Sequence, residues 1–85
     1  MYYVYIVECK DDTLYTGYTV NLEKRLISHN EGKGAKYTRG RIPVVLKYFE
    51  EHENKNDALK REIKIKSLRK NKKLELVNSF KNNIK

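Results

Sequence analysis

Apolar residues run without a break from Tyr2 to Val7 (Tyr-Tyr-Val-Tyr-Ile-Val), all β-branched or aromatic, which predicts a strand covered on at least one face. Lys10-Asp11-Asp12-Thr13 supplies turn residues and Leu14 to Thr19 returns as a second strand, so the chain opens on a hairpin. Side-chain alternation puts Tyr3, Tyr5 and Val7 on one face of the first strand, and the hairpin brings Tyr15 into the same small sheet. Gly17 closes or bulges the second strand, Asn21 is a good helix N-cap, and Gly32 is a credible stop, which bounds a first helix. Past a loop from Glu31 to Arg41 and Pro43, the run Val44 to Phe49 reads as a third strand, and Glu50-Glu51-His52-Glu53 leads to a turn at Asn54-Lys55-Asn56. A second helix is expected from Asp57, as a first-turn acid or cap, to about Leu68, and a last one from near Asn71 to about Lys81, with Leu74, Val77, Phe80 and Ile84 as its stripe. The order is β-β-α-β-α-α in one α+β domain over residues 1–85, with no repeat, low-complexity tract or linker to divide it.

Two helices break the pattern they otherwise follow. On a wheel of about 100° per residue, Leu22, Leu26, Arg25 and His29 share one side of the first helix, so its apolar stripe is interrupted by cationic or titratable groups. In the second helix Ala58, Leu59, Ile63 and Ile65 form a broad apolar arc, and Glu62 projects from within it, away from the Lys60-Lys64-Ser67 side. A carboxylate there must be paired, hydrogen-bonded or metal-bound, because burying it alone costs more than a small domain's margin of stability.

Composition tightens this picture. A chain of 85 residues makes one domain that buries only roughly 60% of the surface its unfolded form exposes. With 39% hydrophobic and 35% charged residues it has enough for one small core and little more, as expected of a compact soluble monomer or weak dimer. Residues 1–53 hold 8 basic and 8 acidic residues, whereas residues 54–85 hold 11 and 3, so the last third carries the whole net charge of +8 (11 − 3). Such a one-sided field suits nucleic acid or an acidic surface, although solvated lysines that keep a small domain soluble would give the same count. The loop from Glu31 to Arg41 adds Lys33, Lys36, Arg39 and Arg41 on a glycine-rich backbone that can approach phosphates closely. Cys9 is the only cysteine, which excludes an internal disulfide and a cysteine metal cluster and reads as a structural thiol. The apolar start is too short for a signal peptide and no stretch approaches transmembrane length, so a cytosolic protein with no membrane association is expected.

Strand tyrosines, an arginine and a histidine one turn apart, and an inward glutamate together suit phosphodiester hydrolysis. That reaction needs a base or orienting group for water, cations for charge developing on phosphorus, and a carboxylate for a divalent metal. Each residue also has a plainer reading. Tyr5 and Tyr15 could pack with their hydroxyls at the rim, Arg25 and Glu62 could form a buried ion pair, and His29 could be a satisfied helix residue.

The order of these residues resembles the GIY-YIG nuclease domain over essentially the full chain, and most of all its small stand-alone members. Tyr3-Val4-Tyr5 stands at the first motif and Tyr15-Thr16-Gly17 at the second. Asn21-Leu22-Glu23-Lys24-Arg25 matches the helix with its active-site arginine, His29 a histidine of several branches, and Glu62 the metal-binding glutamate. The resemblance implies a three-stranded antiparallel sheet flanked by about three helices, with the site on a concave face. It implies a single Mg²⁺ or Mn²⁺ on Glu62, Arg25 stabilising charge at phosphorus, His29 assisting proton transfer, and Tyr5 or Tyr15 as base or water-orienting group. Tyr3 stands in place of the first motif's Gly, Thr16 in place of Ile, and Tyr18 in place of the lysine of the excision-repair branch; Lys33 or Lys36 could replace that cation. Asn71 and Asn78 are candidates for a late asparagine near the metal.

No additional DNA-binding domain fits in this length, so specificity is expected from the Lys33–Arg41 loop, the basic last third or a partner protein. The expected function is a metal-dependent endonuclease or nickase acting on branched, flapped or damaged DNA in repair or recombination. The alternatives are a non-catalytic nucleic-acid-binding module with the same fold and a structural adaptor in which Arg25 and Glu62 brace the core.

Overall fold

The computed structural model describes residues 1–83. Strands β1 (Tyr2–Glu8), β2 (Leu14–Thr19) and β3 (Val45–His52) form an antiparallel sheet in the order β2-β1-β3, with helices α1 (Leu22–Asn30), α2 (Lys55–Lys66) and α3 (Lys70–Asn83) and a short 3₁₀ turn at Lys36–Thr38. This is the α+β architecture that the sequence leads one to expect.

The continuous apolar run of β1 has a simple cause: β1 is the central strand and both its faces are covered. Val4 and Ile6 pack with Ala58, Ile65 and Val77 beneath α2 and α3, while Tyr5, Val7 and Cys9 pack with Val44, Tyr15, Leu22, Leu26 and Phe49 on the α1 side. A chain this small thus has two cores, one on each side of a single sheet. Register fixes the second of them, because Tyr5 pairs with Gly17 and Val7 with Tyr15. The Cys9 thiol is buried and burial pushes its pKa up, as suits a structural residue.

Local signals set the element ends. Asn21 caps α1 by accepting from the Lys24 amide at 3.0 Å, and Gly32 takes a φ of +77° just past the helix. Helix α2 starts two residues before the expected Asp57, because Asn54 is the better cap and accepts from the amides of Asn56 and Asp57. It ends at Lys66, not Leu68, and its arc is narrower than the pattern suggests: Ile63 is 67% exposed, leaving Ala58, Glu62 and Ile65 toward the sheet. In α3, Leu76 joins the core with Val77 whereas Leu74 lies largely outside it; Ile84 lies outside the described residues.

The largest departure is β3, which starts at Val45, not Val44, and runs on through Glu50 and Glu51 to His52 where a lead-in to a turn was expected. Pairing with β1 carries it, with Val4 opposite Glu50 and Tyr2 opposite His52. Burial raises the Glu50 pKa, but hydrogen bonds from Tyr48, His52 and Arg61 outweigh this and hold its carboxyl below the usual value. A charge that reads as a strand-breaker is therefore neutralised by residues one pleat away and by α2. No helix among the described residues is long and apolar enough to cross a membrane.

Thr16 is 1% exposed and its Oγ1 has no hydrogen-bond partner among the described residues, a group whose desolvation costs about 1–3 kcal/mol. Thr16→Val keeps the shape and removes the orphan. It should raise stability by about 1 kcal/mol, read as a rise of about 4–8 °C in Tm.

Candidate active site

Four segments meet on the α1 side of the sheet: β1 brings Tyr5, β2 brings Tyr15 and Gly17, α1 brings Arg25 and His29, and the loop after α1 brings Gly34 and Thr38. Tyr5, His29 and Thr38 are wholly enclosed. The Tyr5 hydroxyl lies 2.8 Å from His29 Nε2, His29 Nδ1 lies 2.8 Å from Thr38 Oγ1, and Thr38 Oγ1 lies 2.9 Å from the Ala35 carbonyl. Arg25 Nε donates to the Tyr5 oxygen at 3.4 Å.

The far end of this chain of hydrogen bonds determines its polarity. A carbonyl can only accept, so the one Thr38 hydroxyl proton points to Ala35, and Thr38 accepts from His29 Nδ1–H. His29 Nε2 is then the free lone pair of a neutral ring, and Tyr5 donates its O–H to it. Electrostatics agree with that assignment: burial, then the Arg25 charge, lowers the His29 pKa and favours the neutral imidazole. The Tyr5 pKa is raised, chiefly by burial, against the opposing pull of Arg25 and with help from the nearby charges of Tyr15 and Glu62. Arg25 is held firmly cationic, first by its hydrogen bond to Tyr5.

Both glycines are placed here by steric need. A Cβ on Gly17 would collide with the Tyr5 ring end and hydroxyl, and one on Gly34 would collide with the His29 ring. The second-motif glycine therefore lets the Tyr5 hydroxyl cross beneath β2 to reach His29.

The other expected residues divide. Tyr15 packs edge-on against His29, with centroids 5.6 Å apart, and stacks on Tyr37; it forms a wall of the site. Glu62 faces the sheet with its side chain 18% exposed, paired with Lys66 at 3.7 Å, and its charge is felt at Tyr5. Arg25 makes no ion pair among the described residues, so the Arg25–Glu62 brace that the sequence allowed is not formed. Lys33, Lys36 and Arg39 lie on the loop that wraps His29, with Lys36 opening the 3₁₀ turn that ends at Thr38. Arg41 is committed elsewhere: it donates to Asp11 at 2.9 Å and to the Tyr37 carbonyl at 2.7 Å, with its guanidinium 4.2 Å from the Tyr37 ring centroid. Asn71 and Asn78 are exposed on α3. Thr38 and Gly34 were not singled out from sequence, where nothing distinguishes them from other loop residues.

No group of three or more His, Cys, Asp or Glu that could hold a metal exists among the described residues. A lone carboxylate still suits Mg²⁺, which keeps most of its waters and is commonly held by one or two carboxylates together with substrate phosphates. Glu62, shielded from bulk water and near Tyr5, fits that donor set.

Small α+β fold, aromatic strands and an Arg–Tyr–His cluster define a class, and the family model described as the GIY-YIG catalytic domain matches residues 1–75. The chain belongs to the GIY-YIG family. It is 62% identical over 79 residues to the UPF0213 protein CPE1444 of Clostridium perfringens, covering 93% of this chain and 85% of that one, and 56% identical over 75 residues to the UPF0213 protein HQ_3675A of Haloquadratum walsbyi, covering 88% and 84%. The solution NMR structure of the UPF0213 protein BH0048 of Bacillus halodurans is similar at TM-score 0.60 and 47% identity, covering 92% of this chain and 84% of that one. That of EF2693 of E. faecalis is similar at 0.63 and 38%, covering 93% and 84%.

Gly34→Ala tests the geometry without removing a polar group. It should displace the His29 ring, destabilise the fold by about 1–3 kcal/mol through overpacking, and shift the His29 ring resonances in an NMR spectrum. Gly40→Ala, at a glycine with open space around it, should leave those resonances where they are.

Proposed function

We propose that the protein is a metal-dependent endonuclease or nickase that hydrolyses DNA phosphodiesters. The observation that carries this reading is the Arg25–Tyr5–His29–Thr38–Ala35 chain of hydrogen bonds, which is a proton relay with a cation at its open end.

In this reading Tyr5, not Tyr15, is the base. Arg25 covers the buried Tyr5 oxygen; when Arg25 turns to a bound phosphate that oxygen is uncovered, and a water molecule there loses its proton to it as the Tyr5 proton moves to His29 Nε2, so no free phenolate has to form in a site that disfavours one. Thr38 keeps the Nδ1–H of His29 occupied and thereby keeps Nε2 turned to Tyr5. Arg25, beside Tyr5, is the cation for the charge that develops on the phosphoryl oxygens. Glu62 would hold one Mg²⁺ or Mn²⁺, which when bound supplies Lewis-acid stabilisation of the leaving oxygen.

The cations available for substrate, Lys33, Lys36 and Arg39 on the loop and the lysines of the last third, read phosphates and not bases. That supports selection by structure, on branched, flapped or damaged DNA in repair or recombination, acting alone or with a partner protein that supplies specificity. The proposed setting is a monomer in the cytoplasm, a reducing compartment that suits the free, buried Cys9.

Cleavage of labelled branched and linear DNA in Mg²⁺ or Mn²⁺ tests the reading. Tyr5→Phe should lower kcat by about 10²–10⁴-fold and Arg25→Ala by about 10²–10³-fold, while Glu62→Ala should abolish cutting. DNA binding without strand breaks in any of these proteins would make the chain a binding module.

The pH dependence has a definite sign. The relay needs neutral His29, and its pKa lies below the ordinary value of 6.5, so the acid-side fall in rate should come at lower pH than an unperturbed histidine would give. A decline already under way above pH 7 would count against His29 as the proton acceptor.

A further inference from the structure

Arg41 ends the loop that wraps His29, and its side chain, amide and carbonyl are all engaged. The guanidinium donates through Nε to Asp11 at 2.9 Å and through Nη1 to the Tyr37 carbonyl at 2.7 Å, and its Cζ lies 4.2 Å from the centroid of the Tyr37 ring. The Arg41 amide donates to the Thr38 carbonyl at 3.0 Å, and the Arg41 carbonyl accepts from the Lys10 amide at 2.8 Å. Side chain and main chain therefore both join the Lys36–Thr38 turn to the β1–β2 turn. That second turn is itself well anchored. Asp11 accepts from the amide and hydroxyl of Thr13, the Thr13 carbonyl accepts from the Cys9 amide at 2.8 Å, and Lys70 of α3 donates to the Asp12 carbonyl at 3.0 Å.

The residues that Arg41 holds are in turn connected to His29. Thr38 meets Nδ1 of the ring, and Tyr37 stacks on Tyr15, which lies edge-on to the same ring. The bonds from Thr38 to Ala35 lie inside the 3₁₀ turn and move with it. They orient the hydroxyl within the turn but do not place the turn against the ring, and Arg41 supplies the link from the turn to the hairpin. The Arg41–Asp11 pair is 39% and 46% exposed, a setting in which an ion pair adds little to stability. Its geometry is what matters: a planar guanidinium serves a carboxylate, a carbonyl and a ring face together, which a lysine ammonium cannot do.

We infer that Arg41, held between Asp11 and the Tyr37 carbonyl, is a positioning residue for His29: it sets the Lys36–Thr38 turn so that Thr38 takes the Nδ1–H and Nε2 is left bare toward Tyr5. The inference deepens the nuclease reading and rests on it for the effect on rate. It also divides the loop cations by task. Lys33, Lys36 and Arg39 are exposed, whereas Arg41 can take a phosphate only by releasing the contacts that hold the turn.

Two readouts separate positioning from phosphate contact. The first is the NMR signals of the His29 ring nitrogens in the protein without DNA, which show where the proton sits. Wild type should have Nδ1 protonated and Nε2 bare. Arg41→Met should populate the Nε2–H form, and so should Arg41→Lys, which keeps the charge but not the geometry. Asp11→Asn keeps an acceptor for Thr13, removes the one facing Arg41 and should do the same; it carries the test should Arg41→Met fail to fold. Arg39→Met, an equal loss of charge on the same loop, should leave the ring as in the wild type. Because the ion pair is exposed, Tm should fall by no more than about 4–8 °C in these variants. The second readout is anisotropy of a labelled DNA duplex as a function of NaCl concentration. Arg41→Met should keep the wild-type slope of log K against log[NaCl], whereas loss of a phosphate contact would make it shallower by about 0.9. In Mg²⁺, kcat should fall about 10–100-fold in Arg41→Met, Arg41→Lys and Asp11→Asn, with KM little changed. A wild-type ring protonated on Nε2, wild-type ring signals in Arg41→Met and Asp11→Asn, an equal change in Arg39→Met, or a shallower slope with the rate restored by Arg41→Lys would each overturn the inference. If the wild type cuts no DNA in Mg²⁺ or Mn²⁺, the nuclease reading fails by itself, and the ring signals still decide whether Arg41 positions His29.

Discussion

The rest of the structure is arranged around the 2.8 Å hydrogen bond between the Tyr5 hydroxyl and His29 Nε2, both on fully buried residues. Leaving either partner unsatisfied there would cost about 1–3 kcal/mol, a sizeable part of what an 85-residue domain has in hand. Satisfying both constrains four segments at once. The first strand must carry its tyrosine under β2, which requires glycine at position 17. Helix α1 must present its inner stripe with a polar residue in it. The loop after α1 must fold back to bring Thr38 to Nδ1, and it must pass Gly34 closely over the ring. A polar pair in a small core thus helps to specify the path of a loop whose apolar anchors are Tyr37, stacked on Tyr15, and Ile42 and Val44 in the core.

The two sides of the sheet divide the work. Beneath α2 and α3 the packing is aliphatic and aromatic, and the half-buried carboxylate of Glu50 is saturated by Tyr48, His52 and Arg61. On the α1 side the buried polar groups are joined end to end, from the guanidinium of Arg25 to a backbone carbonyl. The difference is chemical. Glu50 has its acceptor capacity filled from several directions and gains rigidity, whereas the Tyr5–His29 chain has a proton at each link and an open end at Arg25. A network of the first kind fixes strands; one of the second kind can also pass a proton along.

Legibility in the sequence followed the range of the interaction. The hairpin, the Asn21 cap and the α1 stripe rest on neighbours within a turn or a pleat, and each can be seen in the order of residues. The intrusion of Arg25 and His29 into the apolar stripe, and of Glu62 into that of α2, was visible for the same reason. Glu50 was misjudged because the groups that neutralise it include Arg61, eleven residues on and on another element. Ile63 and Leu74 were misplaced because a wheel gives the width of a stripe but not which part of it the sheet covers. Thr38 and Gly34 could not be found at all: their roles exist only where the loop meets the His29 ring, and a threonine or glycine in a basic loop carries no period. The choice between Tyr5 and Tyr15 was of this kind too, since both lie on the same face and only the hydrogen bonds distinguish them.

That distinction also bears on what kind of base Tyr5 can be. Two opposing effects meet at its oxygen: burial, which disfavours a phenolate, and the Arg25 cation, which favours one. Burial wins, and Tyr15 and Glu62 add to it, so the pKa moves up and not down. A tyrosine meant to act by losing its proton in advance would need the reverse balance. What the site provides instead is an acceptor, His29 Nε2, already hydrogen-bonded to the phenol and kept neutral by the same burial. On the proposed reading the raised phenol and the lowered imidazole are therefore one arrangement. Each group is held in the protonation state from which a concerted transfer can start, and Arg25 is left free to face charge that arrives with the substrate.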